Sequence, residues 1–507
     1  DDMVQTGKRH DFSTRVSLGC DSQGILKGGD FELSGMCGYS PDLSDGIVDR
    51  AMFHVDNAYF LPSSRIVGHR CKTNTVSNTA FRGFGGPQGI LAMEAAMDSL
   101  AYAAQIEPLL LRQRNLYRPG FSKTPYQQEV TQVVLPDLIE RLAKSSDYWA
   151  RREQIKQHNR TNPRWCKGIS LNPVKFGISF TTTHLNQAGA LVHIFNDGSV
   201  EVNHGGTEMG QGLYTKVQAV VANAFGLPMQ QVLNTASRTD KVPNASPTAA
   251  SSAADMNGMA ALDACEQIKT RLTEFAQQQL GWSDALIFAD GMVSSQGAPE
   301  QSLRFAEFVH KAYMARVSLS DKGFYRTPNI EVDKDAGIGN PFYYFANGAS
   351  VSEVVVDTLT GNYRVTRVDI LHDVGRSLNP AIDLGQIEGG FVQGMGWLTT
   401  EELLWDQSGR IISNGPANYK IPSAHDVPEQ IHVDFYQQAN PVPTVHRSKA
   451  VGEPPVMLAI SVWCALRDAC ASLTGYRYLP PLSVPATAEQ VYLCVQRALD
   501  SSPSAEE

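Results

Sequence analysis

Gly452-Glu453-Pro454-Pro455 stands directly before an apolar pattern of helical period over residues 456–471. No other feature restricts the fold as strongly. Proline fixes its own φ and disfavours the α region for the residue before it, so the backbone carrying Glu453 has little freedom. Proline in a first turn is a common helix opener, which puts Glu453 at or beside a helix N-terminus. Peptide dipoles there favour the charged carboxylate. Taken alone, these residues describe either an acidic helix cap or a fixed, ionised base.

With 42% hydrophobic and 19% charged residues, the composition is that of an ordinary globular protein. A length of 507 residues suggests roughly two to four domains and ample core. The net charge of −9 and pI of about 5.8 argue against a nucleic-acid or anionic-membrane surface. Eight cysteines are scattered without a CxxC pair, so neither a zinc ribbon nor an iron–sulfur cluster is encoded. They read as reduced thiols, several of them core fillers. With no signal peptide and no apolar run long enough for a bilayer, the expected location is the cytoplasm. The start at Asp1 reads like the interior of a strand-rich domain, as in one piece of a larger catalytic unit or a trimmed longer chain.

Short runs with turn punctuation make residues 1–70 strand-rich. Pro87 opens a helix pattern after the glycine-rich stretch 79–86. Residues 117–165 mix helix and loop and form the best linker, punctuated by Asn162-Pro163. Residues 190–195 and 200–202 flank Asn-Asp-Gly-Ser, a hairpin with a type I′-compatible turn. Further hairpins are expected over 353–370 and near 406–409. Strand pairs alternating with helices that begin at glycine-rich loops give an α+β class of mixed sheets and hairpins. The expected division is 1–116, a connecting segment 117–165, a second subdomain 166–500 and a flexible tail 501–507.

Four small-residue stretches, 83–89, 205–212, 248–254 and 388–396, read as loops that each precede a helix. Such loops let backbone approach a ligand and offer N–H groups to an anion. Together they suggest a large, polar, anionic ligand gripped from several sides. None matches a P-loop or a Rossmann fingerprint.

Ser77-Asn-Thr-Ala-Phe-Arg-Gly-Phe-Gly-Gly-Pro-Gln88, Lys175-Phe-Gly-Ile-Ser-Phe-Thr181, Gly205-Gly-Thr-Glu-Met-Gly-Gln-Gly212 and Lys449-Ala-Val-Gly-Glu-Pro-Pro455 carry a resemblance. So do Leu185-Asn-Gln-Ala-Gly-Ala190, Val374-Gly375, Leu378-Asn-Pro-Ala-Ile-Asp383 and Phe391-Val-Gln-Gly394. They resemble the molybdenum domain of the xanthine dehydrogenase/oxidase family, in the family's order and over nearly the whole chain. The resemblance implies molybdopterin, whose dithiolene holds molybdenum without a protein ligand. Arg82, Gly210, Gln211, Ala249, Ala250, Ser251 and Gln393 would then line the cofactor. Glu453 matches the general base, Phe84 and Phe180 the two rings that sandwich a flat substrate, and Thr181 a hydrogen-bonding partner of the substrate. Arg50 matches the arginine on the purine carbonyl oxygen, which implies hypoxanthine and xanthine, hydroxylated to uric acid with water as oxygen source.

What should precede these motifs in the family is missing: the ferredoxin-like region, the FAD domain and a loop with a second substrate carboxylate. The resemblance therefore implies work with an N-terminal portion of the molybdenum subunit and with an Fe–S/FAD subunit carrying [2Fe-2S] clusters and FAD, doubled into a dimer. Alone, the chain is expected neither to retain molybdenum nor to turn over. Two alternatives remain open from sequence: a related hydroxylase acting on an aldehyde or another N-heterocycle, and a non-catalytic scaffold piece of such a complex.

Overall fold

Trp165–Ile178 and Tyr344–Asp357 pair antiparallel along their full length, from Trp165 opposite Asp357 to Ile178 opposite Tyr344. Both are buried almost throughout, which is why their sequences run apolar and small instead of alternating. Tyr363–His372 extends the sheet antiparallel and Gln430–Phe435 adds a parallel edge. Alternate residues of the central strand divide between two cores. Val354 and Val356 pack with helix Ile460–Ala471, while Ala349 and Val351 pack with helix Leu135–Ser145. The computed structural model describes residues 2–242 and 244–501.

The N-terminal sheet places Leu26–Gly38 between Phe12–Cys20 and Ser64–Lys72. Helices Ser44–Met52 and Gly86–Ala103 pack against it. A third sheet, ordered Ser320–Arg326, Gln187–Ile194, Val200–His204 and Val232–Asn234, carries helices Leu213–Ala224 and Ala253–Phe275. The α+β class of mixed sheets and hairpins therefore stands. All eight cysteines are free and six of them are buried.

Four local expectations change. The glycine-rich stretch 388–396 lies inside helix Pro380–Thr399, where it lets helices approach instead of forming a loop. A Cβ on Gly394 would sit 2.1 Å from the Val456 carbonyl oxygen, and one on Gly390 would sit 2.7 Å from Pro455. The 195–199 turn is not type I′, because Gly198 (φ 86°) is its one positive-φ residue. Near 406–409 there is a tight turn closed by a single bridge between Trp405 and Ile411. Pro455–Thr474 is, by length and a mean hydropathy of 1.5, apolar enough to cross a membrane, yet 89% of it is buried inside the protein as core. The tail expected at 501–507 lies, apart from Ser501, outside the described residues.

Candidate active site

A cavity of about 540 Å³ opens where residues 80–84, 209–216, 248–255, helix Pro380–Thr399 and residues 448–453 converge. Its wall is held by one arginine. Arg82 donates through Nε to the Gly452 carbonyl at 2.6 Å, through Nη1 to Gln393 Oε1 at 3.2 Å and through Nη2 to the Gln386 carbonyl at 3.2 Å. One guanidinium thus ties the turn before helix Gly86–Ala103 to helix Pro380–Thr399 and to the segment that leads into helix Pro455–Leu458. The turn itself is wound left-handed, with positive φ at Gly83, Phe84 and Gly85. That conformation is rare for a bulky residue such as Phe84 and is held in place by its surroundings.

Glu453 sits on this wall just before helix Pro455–Leu458. Gly83 N–H donates to its Oε1 at 3.1 Å, and the Ser251 hydroxyl donates to Oε2 at 2.9 Å. The Glu453 N–H in turn donates to Ser251 Oγ at 2.8 Å. Arg50 Nη2 lies 4.0 Å from Oε2, with only 3% of its side chain exposed. Burial depresses the pKa of both Arg50 and Arg82, and the charge of Glu453 works against that shift.

Phe84, Arg82, Gly210, Gln211, Ala249, Ala250, Ser251, Gln393 and Glu453 all line the cavity. Arg50, Phe180 and Thr181 do not. Arg50 runs behind the wall, donating to the carbonyls of Gly177 (2.6 Å) and Ser179 (2.8 Å) with its guanidinium over the Phe176 ring. Phe180 packs against the core of the third sheet, and Thr181 is buried beside it.

The loop 205–212 also departs from expectation. Two of its N–H groups, those of Gly210 and Gly212, are engaged by its own Glu208, which also accepts from Tyr214, at 2.8–3.0 Å. Partial burial works to raise the Glu208 pKa, but these donors hold it below the ordinary range. The Gln211 amide likewise folds back on Thr207. What remains for a ligand is space: nothing lies within 4 Å of where a Cβ on Gly210 would stand.

Residues 141–428 and residues 1–116 each match the family described as molybdopterin cofactor-binding domain. The chain belongs to the molybdopterin cofactor-binding domain family. It is 42% identical to xanthine dehydrogenase of Dictyostelium discoideum over 97% of its length and 43% identical to xanthine dehydrogenase 1 of Arabidopsis thaliana over 97%. In each case it spans about 35% of the relative. Its fold matches quinoline 2-oxidoreductase from Pseudomonas putida 86 with a TM-score of 0.85 at 22% identity, over 99% of this chain and 64% of that one. Aldehyde oxidoreductase from Desulfovibrio gigas matches with a TM-score of 0.80 at 25% identity, over 97% and 50%.

The cavity fits the cofactor this family binds. Ala249, Ala250 and Gly210 leave its wall low, and a polar rim is supplied by Arg82, Gln211 and Gln393. Among the described residues no group of three His, Cys, Asp or Glu side chains could hold a metal ion.

Several residues of the site were not singled out from sequence. Asp255 lines the cavity and accepts from the Tyr344 hydroxyl at 2.7 Å. Burial pushes its carboxyl up to about 7, against that hydrogen bond and the charge of Lys216. Lys216 pairs with Asp383 at 2.5 Å, and Lys449 with Asp373. A signal existed for three of them, since Lys449 opens the motif that ends in Pro455, Asp373 precedes Val374-Gly375 and Asp383 closes the motif that begins at Leu378. Nothing local marks Asp255 or Lys216, whose partners come from distant elements.

Proposed function

We propose that this chain is part of the molybdenum catalytic subunit of a xanthine dehydrogenase, hydroxylating hypoxanthine and xanthine to uric acid with water as oxygen source. The observation that carries this reading is Glu453, a carboxylate gripped at both oxygens on the wall of a cavity in a molybdopterin-binding fold. Identity of 42–43% with xanthine dehydrogenases over 97% of the chain supports the substrate class.

Bound in the cavity, molybdopterin and its metal supply the two-electron oxidation and the oxygen that is transferred. Arg82, Gly210, Gln211, Ala249, Ala250, Ser251 and Gln393 hold that group, chiefly through small side chains and backbone. Glu453 takes the proton from the water-derived hydroxyl, and its fixed position keeps the accepting oxygens aimed. Phe84, on the cavity wall, and Phe180, which now packs on the core of the third sheet, are the two rings assigned to bracket a flat ring, for which stacked and edge-on contacts are favourable. Thr181 hydrogen-bonds a substrate oxygen. Arg50 stabilises negative charge on the purine carbonyl as the ring is attacked, through N–H groups beyond the two that hold the Gly177 and Ser179 carbonyls.

Electrons leave to [2Fe-2S] clusters and FAD on partner chains. An N-terminal portion of the molybdenum subunit and an Fe–S/FAD subunit complete the cytoplasmic enzyme, which is doubled into a dimer. Within this chain the division falls at 1–116, 117–165 and 166–500, with a tail at 501–507.

The test is elemental analysis and purine turnover of the complex purified through a tag on this chain. The expected result is near-equal molybdenum per chain with about four irons from two two-iron clusters, and xanthine turnover that Glu453→Gln abolishes while molybdenum stays. A loaded complex that oxidises aldehydes but no purine would sink the substrate assignment.

A further inference from the structure

We infer that Ser251 is the positioning residue of Glu453, a role that rests on reading Glu453 as the base. The Ser251 hydroxyl has one proton to donate, and it is given to Glu453 Oε2 at 2.9 Å. Ser251 Oγ itself accepts the Glu453 N–H at 2.8 Å. Backbone and carboxylate of one residue are therefore held by a single hydroxyl, which closes a hydrogen-bonded ring and restricts the Glu453 side chain. The side chain is spent on this contact and not turned to a ligand.

Three further observations agree. The helix that follows gains nothing from the hydroxyl: its N-cap is Ser252, with no side-chain capping bond. Ala250 and Ser251 both take φ of 56°, a left-handed conformation that non-glycine residues rarely adopt, and it is this bend that brings Oγ to Glu453. Gly452 keeps the approach open, because a Cβ there would lie 3.2 Å from Ser251 Oγ.

The arrangement also distinguishes the two carboxylate oxygens. Oε2 carries the Ser251 proton and faces Arg50 at 4.0 Å, whereas Oε1 receives only the Gly83 N–H. Each oxygen therefore keeps lone-pair capacity for a further proton, and the two differ in that Oε2 alone faces a cation.

The experiment uses the complete complex with Ser251→Gly and Ser251→Ala. Glycine removes the hydroxyl while suiting the left-handed backbone, so it separates loss of the contact from loop strain. Both variants are expected to keep wild-type molybdenum content and KM for xanthine within a factor of about two. Misaiming the carboxylate lowers kcat by roughly 10²-fold, and the melting temperature of Ser251→Gly stays close to wild type. Molybdenum lost in step with activity would overturn the inference, because the Ser251 hydroxyl, and not its backbone alone, would then hold the cofactor. A wild-type kcat in Ser251→Gly would overturn it outright. Full turnover by Glu453→Gln is a separate result, which removes the base assignment itself.

Discussion

Lys449 and Asp373 meet at 2.5 Å with both side chains wholly buried, four residues before Glu453. Lys449 also donates to the Phe345 carbonyl and to Gln132. The segment that carries Glu453 is thereby bolted to the end of strand Tyr363–His372. Burial lowers the Lys449 pKa and raises that of Asp373, each opposed by the other's charge.

Lys449→Met leaves a buried, uncompensated Asp373. Breaking one partner of such a pair costs about 3–5 kcal/mol, whereas replacing both with apolar groups is often nearly neutral. The expected outcome in chemical denaturation is a large loss for Lys449→Met and substantial recovery in Lys449→Met with Asp373→Leu. Equal losses in the single and double variants would refute the account.

Gly394→Ala inserts a methyl group where 2.1 Å separates its position from the Val456 carbonyl oxygen. The contact is with backbone, so the two helices must part. Overpacking of this kind costs about 1–3 kcal/mol. Gly389→Ala, whose Cβ meets nothing within 4 Å, serves as the control. A lower melting temperature is expected for the first and an unchanged or raised one for the second.

Why that crossing escaped a reading of the sequence is instructive. Glycine marks loops by its conformational freedom, but in 388–396 it is used for its missing side chain, and the two uses look identical in one sequence. Glu453 was legible because two prolines restrict its backbone locally. The same holds for helix Gly86–Ala103, opened by a proline at its second residue. The partners of the Arg82 guanidinium lie 304, 311 and 370 residues away, and only the folded chain shows that they are its partners. Arg50 was assigned by motif, yet its two Nη donors are occupied by backbone carbonyls, which no motif records.

His372 and Asp255 give opposite contributions to the pH dependence of stability. Burial and then the charge of Lys449 push His372 down to about 3. Unfolded, it titrates near 6.5. Its contribution is present above about pH 6.5 and is lost as pH falls toward 3. Asp255, raised to about 7 by burial, contributes below its unfolded value near 3.9 and loses that contribution as pH rises through 7. Melting temperatures from pH 5 to 8 are expected to fall less steeply on the acid side in His372→Leu. Asp255→Asn is expected to gain most over wild type at pH 8. Parallel curves for all three proteins would contradict both assignments.

Arg50→Met in the complete enzyme removes the cation nearest Glu453. Xanthine turnover is expected to fall by about 10²–10³-fold, the usual cost of losing a donor to developing oxyanion charge, while an aldehyde substrate is spared. Equal losses on both substrates would assign Arg50 to holding the Gly177 and Ser179 carbonyls instead. Steady-state kinetics on the two substrate classes distinguishes these outcomes.

Gly83 meets Glu453 across 370 residues of chain, and Arg82 meets Gly452 across the same interval. Contacts of such sequence separation close late, because the intervening chain must be ordered first. Without residues 448–453 the cavity keeps four of its walls and lacks the fifth. A chain truncated before Gly452 would lose helix Ile460–Ala471 as well, so the cavity and the core beneath the central sheet would fail together.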